Sequence, residues 1–500
     1  MFEFWDKLTS VWGYDENEKT FIISSTSKKP DQKNSDRQTV VLQAAENYYF
    51  LALFSGVKEA FSKEDDYRFV AMWPTIFSVK QKFDWLHPLR ILYSIFNAFF
   101  REEKWIKLYQ SIADPILFID KGSPLNKIKN GWRAIRIWLS LSSKDDLIRL
   151  SIDEIYCGDL IYDTYLRYRV RPTVRLGSIS LLYYIYKCIG VIASVKEIVT
   201  ENNINYYFSS YSTYIQHGIP VRIFLNHGIE VYASGNFQQR FKKLTKEDWH
   251  HTSAHKNYFS QFKMLEGQSE KIAKGVHLLE NKFKGAIDSA TAYMQRSAFH
   301  SSSNTKEPLD YDGVVFMHDF YDSPHIYSSM LFPDFYEWAI FTLDLISKNN
   351  LRVGVKPHPN QVANSKKDIA SLKRQFPSIR WIDPQTSNIQ IFNSGIQFGI
   401  SVYGTVLHEL AYHGINPICA GDNPHVSFEF VHSPKTLAEY ESMILNSAQL
   451  KLPENYKEQV AAFYYMHNVH SKEDFAFDDS IFKNYSIMNG NSELLLKVVS

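Results

Sequence analysis

Apolar runs alternate with segments of helical spacing along most of the chain, most regularly in its second half. GVVFMHDF from Gly313, LRVGVKPHPN from Leu351, IRWIDP from Ile379, GIQFGISV from Gly395 and NPICAGD from Asn416 read as strands. SSMLFPDFYEWAIFTLDLISKN, KKDIASLKRQF, NIQIFN and the run after Thr405 read as helices between them. Strands without polar alternation are buried on both faces, and strand–helix–strand repetition calls for a parallel sheet with helices on both sides.

The first half uses the same device less evenly. TVVLQA (39–44), a helical run to Phe61 and RFVAMWP ending at Pro74 form a β-α-β pattern. A short strand is expected near Thr20 to Ser24, a helix followed by a strand over Val195 to Ser210, and a strand at VRIFLN. From Phe83 to about Leu117 aromatics (Trp85, Phe96, Phe99, Phe100, Trp105) interleave with cations, a pattern that suits either an inter-helix core or an anionic membrane surface. The most apolar window, Ile179 to Val195, is short for a membrane span and holds Lys187, so it reads as a buried helix.

At 500 residues the chain exceeds a single core, and two α/β domains are predicted. Residues 1–300 form an N-terminal Rossmann-like domain with a helical insertion at about 83–190, and 301–312 form a linker. Residues 313–450 form the second domain, and 451–500 a helical segment packing back on the first.

Composition narrows the function. A net charge of +1 gives no electrostatic reason to expect nucleic acid. Three scattered cysteines, without metal spacing, suit a reducing compartment, and the N-terminus lacks a secretory pattern, so a cytoplasmic location is expected.

Polar groups gather where strands end. His318, Asp319, Asp322, Ser323 and His325 follow the first strand of the second domain. Lys356, His358 and Asn360 follow the next, and Ser401, Tyr403, Gly404 and Thr405 a later one, with Glu409 one helical turn on. Three loops on one sheet edge make a site for a charged ligand, and a helix starting near Thr405 presents free N–H groups to a phosphate. An ordinary packed strand-to-helix turn has the same appearance. Asp159 and Asp163, near Arg167, Arg169 and Arg171, are candidates for a tuned carboxylate base. His227, before Gly228 at an expected strand end, is the other candidate base, with His217-Gly218 a weaker duplicate. His250, His251 and His255 lack a third metal ligand and read as surface.

These motifs resemble bacterial surface-polysaccharide glycosyltransferases of the GT-B fold. KPHP, Lys356 to Pro359, is similar to the His-Pro motif of GT-B sialyl- and Kdo-transferases and CDP-glycerol glycerophosphotransferases, whose histidine contacts the donor phosphate. SVYGT, Ser401 to Thr405, resembles the Ser/Thr motif of the same phosphate cradle, and the Gly, Glu, Gly-x-Pro order that follows implies Glu409 at the ribose. NHG, Asn226 to Gly228, looks like the His-Gly of the glycerol-phosphate polymerases but lacks their following Thr-Pro-Leu-Lys; the acidic Asp/Glu-Gly of the sialyl- and Kdo-transferases is absent, with only Gly158-Asp159 near it in type. The resemblance implies two Rossmann-like domains facing a cleft and metal-independent transfer from a nucleotide-sugar donor, of cytidine type by this kinship. It implies a polysaccharide or lipid-linked glycan acceptor, with peripheral membrane contact and no cofactor. An epimerase or hydrolase of the same frame, or a non-catalytic polysaccharide assembly factor, is the rival expectation.

Overall fold

A computed structural model describes residues 16–26, 37–62, 67–74, 104–119, 123–235, 241–286, 299, 309–327, 329–359 and 365–470. It divides into two compact units. The first takes the chain up to Ile161 and again Leu176–His251; the second takes Tyr162–Arg175 and everything described from Thr252 onward.

The first unit is built on β1 (Thr39–Gln43), β2 (Arg68–Pro74), β3 (Ile116–Ile119), β6 (Ile204–Ser209), β7 (Glu230–Ala233) and β8 (Lys242–Leu244), in the order β3-β2-β1-β6-β7-β8. All neighbours are parallel except β7 and β8. A separate hairpin joins β4 (Ser151–Ile152) and β5 (Ile155–Tyr156). The second unit arranges β9 (Gly313–Phe316), β10 (Val353–Lys356), β11 (Arg380–Trp381), β12 (Phe398–Ser401) and β13 (Asn416–Cys419) as β11-β10-β9-β12-β13, wholly parallel. Each chain segment winds outward from its first strand and then returns to add strands on the other side. Both units are therefore Rossmann-like and doubly wound, as the alternation predicts, with switch points at β1/β6 and β9/β12.

Burial on both faces explains the second sheet. Val315, Val353, Val355 and Ile400 pack with Trp338, Leu343 and Tyr440 on one side. Val314 and Phe316 pack with Ile391, Phe392 and Leu410 on the other. Each such side chain contributes about 1.5–3 kcal/mol on burial.

The division of the chain differs from the sequence expectation. Residues from Thr252 belong to the second unit, and so does the helix Tyr456–Asn468, which was expected to pack on the first domain. Val460, Ala462, Phe463, Tyr464 and Met466 join the second core, against the helix Gln268–Phe283. The approach is close at Gly275, where a Cβ would stand 2.4 Å from Ala461 O. Periodicity marks an apolar face but not which core receives it. The segment near Thr20 lies in a helix, Glu16–Thr26. VRIFLN is also helical, within Tyr214–Asn226 and with Pro220 inside. That helix is buried almost all round, which erased the polar face that would have announced it.

Ile179–Glu201 is one helix, long and apolar enough to cross a membrane by length and composition; Ile185, Cys188, Val191, Ile192 and Val195 are buried within the first unit. Most of the aromatic-cationic run from Phe83 lies outside the described residues; its last part, with Trp105, Leu108 and Tyr109, packs in the first core. The expected linker likewise falls outside them from 301 to 308.

Candidate functional site

At the β9/β12 switch point the loops after β9, β10 and β12 share the C-terminal edge of the second sheet, where open α/β sheets hold ligands. Lys356, the last residue of β10, is 2% exposed and its ammonium lies 2.5 Å from Asn388 Oδ1. Burial pushes its pKa down to about 8, opposed by the Glu409 and Asp383 carboxylates. His358 is pushed down to about 4, first by burial and then by His318 and Lys356, while Asp322 pulls the other way. The imidazole is consequently neutral at pH 7, and an incoming anion would raise both values.

Aromatic packing fixes these groups. The Tyr403 ring stands 4.8 Å from His318, 4.8 Å from Tyr327 and 5.2 Å from Phe335, and His318 is 6.4 Å from His358. Asp319 Oδ1 accepts from Tyr321 N and from Ser365 Oγ, at 3.3 and 2.9 Å, bracing the first loop from within. Ser323, 2% exposed, donates its N–H to Asp322 Oδ1 at 3.0 Å.

Two candidate residues named separately in the sequence come together here. His325 Nδ1 is 2.6 Å from Asp163 Oδ1, and the His325 N–H reaches Asp163 Oδ2 at 3.3 Å. Asp163 is 1% exposed. Beside it Tyr162 and Thr173 donate to Asp334 Oδ2, at 2.5 and 2.6 Å, while Asp334 Oδ1 caps the helix Phe335–Lys348. These bonds fasten residues 162–175 to the second unit. A carboxylate on Nδ1 fixes the ring orientation and makes Nε2 the more basic nitrogen.

Several expected phosphate contacts have other engagements. The Ser401 hydroxyl donates to Phe316 O at 3.1 Å, clasping β12 to β9. Thr405 caps the helix Val406–Tyr412 without a side-chain bond, and Leu407 N already donates to Gly404 O at 3.2 Å. That helix is seven residues long. Cationic weight therefore falls on Lys356 rather than on a helix end. Glu409 is 3% exposed and paired with Lys282 Nζ at 2.9 Å, in place of the open carboxylate expected at a ribose. Asn360 lies outside the described residues.

The first unit presents a different edge at β1/β6. Gln43 Oε1 accepts from Ser210 N at 3.0 Å and Ser210 Oγ at 2.9 Å, and Gln43 Nε2 donates to Gln216 O at 3.1 Å. Ser212 N donates to His251 Nδ1 at 3.2 Å, which places the proton of neutral His251 on Nε2. His251 N in turn donates to Ser212 Oγ at 3.0 Å. Tyr211 stands 5.5 Å from both His217 and His251. Burial pushes each histidine down to about 3. His251 and His255 are 7% and 4% exposed, which corrects the surface reading; the serines after β6 are the sequence signal that would have found this edge.

The other candidate bases are displaced. His227 follows the last residue of a helix that runs back along the sheet, so it sits before β7 rather than after a strand, on the opposite edge from ligands. It is exposed, and its Nδ1 is 2.8 Å from Ile223 O. Asp159 is buried against Arg222, at 2.7 and 2.5 Å, with the guanidinium 4.8 Å from the Tyr156 ring and 5.0 Å from Trp249. Bidentate, stacked and dry, this pair holds the fold. Among the described residues no group of three or more His, Cys, Asp or Glu side chains converges as metal ligands.

No protein-family model matches the chain, and no curated protein matches it. Among solved structures it is similar to the UDP-GlcNAc 2-epimerase of Neisseria meningitidis bound to UDP-GlcNAc, at 10% identity over 86% of this chain and 96% of that one, with a TM-score of 0.23. A glycosyltransferase from Rickettsia africae gives 10% identity, 92% and 96% coverage and a TM-score of 0.25. MurG of Acinetobacter baumannii gives 9%, 86%, 95% and 0.23. At these values no residue correspondence follows.

Proposed function

We propose that the protein is a glycosyltransferase that moves a sugar from a nucleotide-activated donor to a hydroxyl of a polysaccharide or lipid-linked glycan, without a metal ion. The observation that carries this reading is the placing of Lys356, His358 and His318 at the β9/β12 switch point, in the unit that also holds the Asp163–His325 pair. In such a transfer the bond from the sugar to the donor phosphate breaks, and negative charge grows on the departing phosphate. The buried Lys356 ammonium is suited to receive that charge, and His358, neutral at rest, gains a proton more easily as it arrives. His325, oriented by Asp163, accepts the acceptor hydroxyl proton as the new bond to the sugar forms. The KPHP and SVYGT likeness to Kdo- and glycerol-phosphate enzymes favours a cytidine nucleotide.

A thermal-shift panel with CMP, CDP, UDP and GDP tests the donor site. A nucleotide at a hundred times its dissociation constant adds nearly ~3 kcal/mol to stability. The shift is expected in the wild type and lost in Lys356→Met and His358→Ala. Absence of a shift with every nucleotide overturns the reading, and product formed from the sugar nucleotide alone replaces it with an epimerase or hydrolase.

A further inference from the structure

The helix Pro124–Ser140 in the first unit exposes an apolar stripe that the described fold leaves uncovered. Leu125, Ile128, Trp132 and Leu139 are 79%, 62%, 66% and 70% exposed. Their spacings of three, four and seven residues place them within roughly 60° of arc on one helix face. The opposite side is fixed: Ala134 is fully buried, and the Trp138 indole N–H donates to Leu176 O at 2.6 Å. Ser123 accepts from Asn126 N and Pro124 begins the first turn, so the helix is defined at its start.

Charge accompanies the stripe. The helix contains Lys127, Lys129, Arg133 and Arg136 and no acidic residue. Arg133 is engaged by Asp153 at 2.9 and 2.5 Å. Lys127, Lys129 and Arg136 are exposed and make no ion pair among the described residues. Lys129 and Arg136 border the stripe at this helical spacing. Ile179 and Tyr183, at the start of the neighbouring helix Ile179–Glu201, add further exposed apolar surface at 79% and 47%.

We infer that this helix docks the protein on an anionic lipid bilayer, lying in the interface plane. Apolar side chains with a tryptophan among them suit the headgroup boundary, and flanking cations without acidic neighbours on the helix suit lipid phosphates. A second copy of the chain is a poorer occupant, since two such faces would bring unpaired cations of like sign together. The inference stands independently of the transferase reading. It also places membrane contact on a helix other than the aromatic run that the sequence suggested.

Co-sedimentation with phosphatidylcholine vesicles containing about a third phosphatidylglycerol tests it, against pure phosphatidylcholine. The wild type is expected to bind the anionic vesicles. Ile128→Ser with Trp132→Ser should weaken binding by about tenfold or more. Lys129→Glu and Arg136→Glu should weaken it by about fivefold per site and remove the preference for anionic lipid. Leu437→Ser, at an exposed leucine of the second unit, should bind as wild type. All these sites are exposed, so unchanged melting temperatures and unchanged turnover on a water-soluble acceptor separate lost docking from lost folding or lost chemistry. Wild-type protein that stays in the supernatant, or variants that bind as well as it does, overturn the inference. A wild-type dimer that Trp132→Ser dissociates, with no vesicle binding, replaces it with self-association.

Discussion

At the β1/β6 edge of the first sheet the buried side chains are Gln43, Ser209, Ser210, His217 and His251, all uncharged at neutral pH. At the β9/β12 edge of the second lie buried Lys356 and half-buried His358, with Asp319 and Asp322 close by. Strand order is the same through five strands of each sheet, so topology delivers the loops to equivalent places. Side chains then decide which charge each edge accepts. The first has amide, hydroxyl and neutral imidazole groups, the chemistry that recognises hydroxyls of an uncharged ligand. The second has the Lys356 ammonium and a neutral His358 imidazole whose protonation an anion would favour.

Two carboxylates four residues apart on the helix Gly158–Arg169 carry this contrast in miniature, and altering Asp159 should have the largest effect. Asp159→Ala leaves Arg222 buried and uncompensated, and a loss of about 3–5 kcal/mol is expected in urea denaturation. A variant that keeps full stability yet loses turnover would instead make Asp159 the base. Asp163 lies in the second unit and is bonded to His325. His325→Ala and Asp163→Asn are each expected to lower kcat by about a hundredfold while nucleotide thermal shifts persist. Turnover near wild type in both variants would remove the pair from the mechanism.

Lys356→Met should separate binding from stability. Donor affinity is expected to fall by about tenfold or more, because a buried charge-assisted contact is lost. Stability below pH 8 is expected to rise, since the ammonium is buried against its preference. The sign follows from linkage. The folded pKa, about 8, lies below the unfolded 10.5, so between them the unfolded chain binds more protons and wild-type stability increases with pH. The gain is at most ~3 kcal/mol, and the Met variant should show none of it. A wild-type profile flat over that range would mean that the lysine titrates normally.

Both units contribute to the acid limb, His358, His408 and His425 in the second and two buried histidines at the edge of the first. His217 and His251 titrate near 3 in the folded chain and near 6.5 when unfolded, so stability is fully present above about pH 6.5 and declines as pH falls toward 3. His251→Gln should flatten part of that decline in acid titrations followed by circular dichroism. An unchanged slope would place the acid sensitivity elsewhere.

The second sheet was readable because its strands are continuous apolar runs closed by Gly, Pro and polar loops, and the three site loops followed from strand order alone. Residue roles were less readable. Ser401, Thr405 and Glu409 stand where a phosphate and ribose site needs them in one dimension. In three dimensions Phe316 O takes the Ser401 proton and Lys282, 127 positions earlier, takes the Glu409 carboxylate. The Asp163–His325 pair spans 162 positions, and no local pattern encodes such a contact. His227 failed for a local reason: a helix buried nearly all round, rich in Ile, Val and Phe, has the composition of a strand. Reversing that one element moved the histidine to the wrong edge of the sheet.

The smallest effects should distinguish the two edges through their glycines. Gly235, with φ +68°, leads out of β7 and would place a Cβ 2.9 Å from His251 Cδ2. Gly235→Ala combines a left-handed backbone with displacement of the imidazole, and about 1–2 kcal/mol of destabilisation is expected, with an altered acid limb. Gly404 has no left-handed φ, and its added Cβ would meet Ser401 Oγ at 3.2 Å, with the next neighbour, Val406 Cγ1, at 3.7 Å. Gly404→Ala should therefore change stability by no more than about 0.5 kcal/mol. Any larger consequence there should appear in nucleotide affinity, because the methyl group would occupy space on the edge assigned to the donor. Equal stability losses in the two variants, with affinity untouched, would dissolve the distinction between a neutral edge and one that carries a buried ammonium.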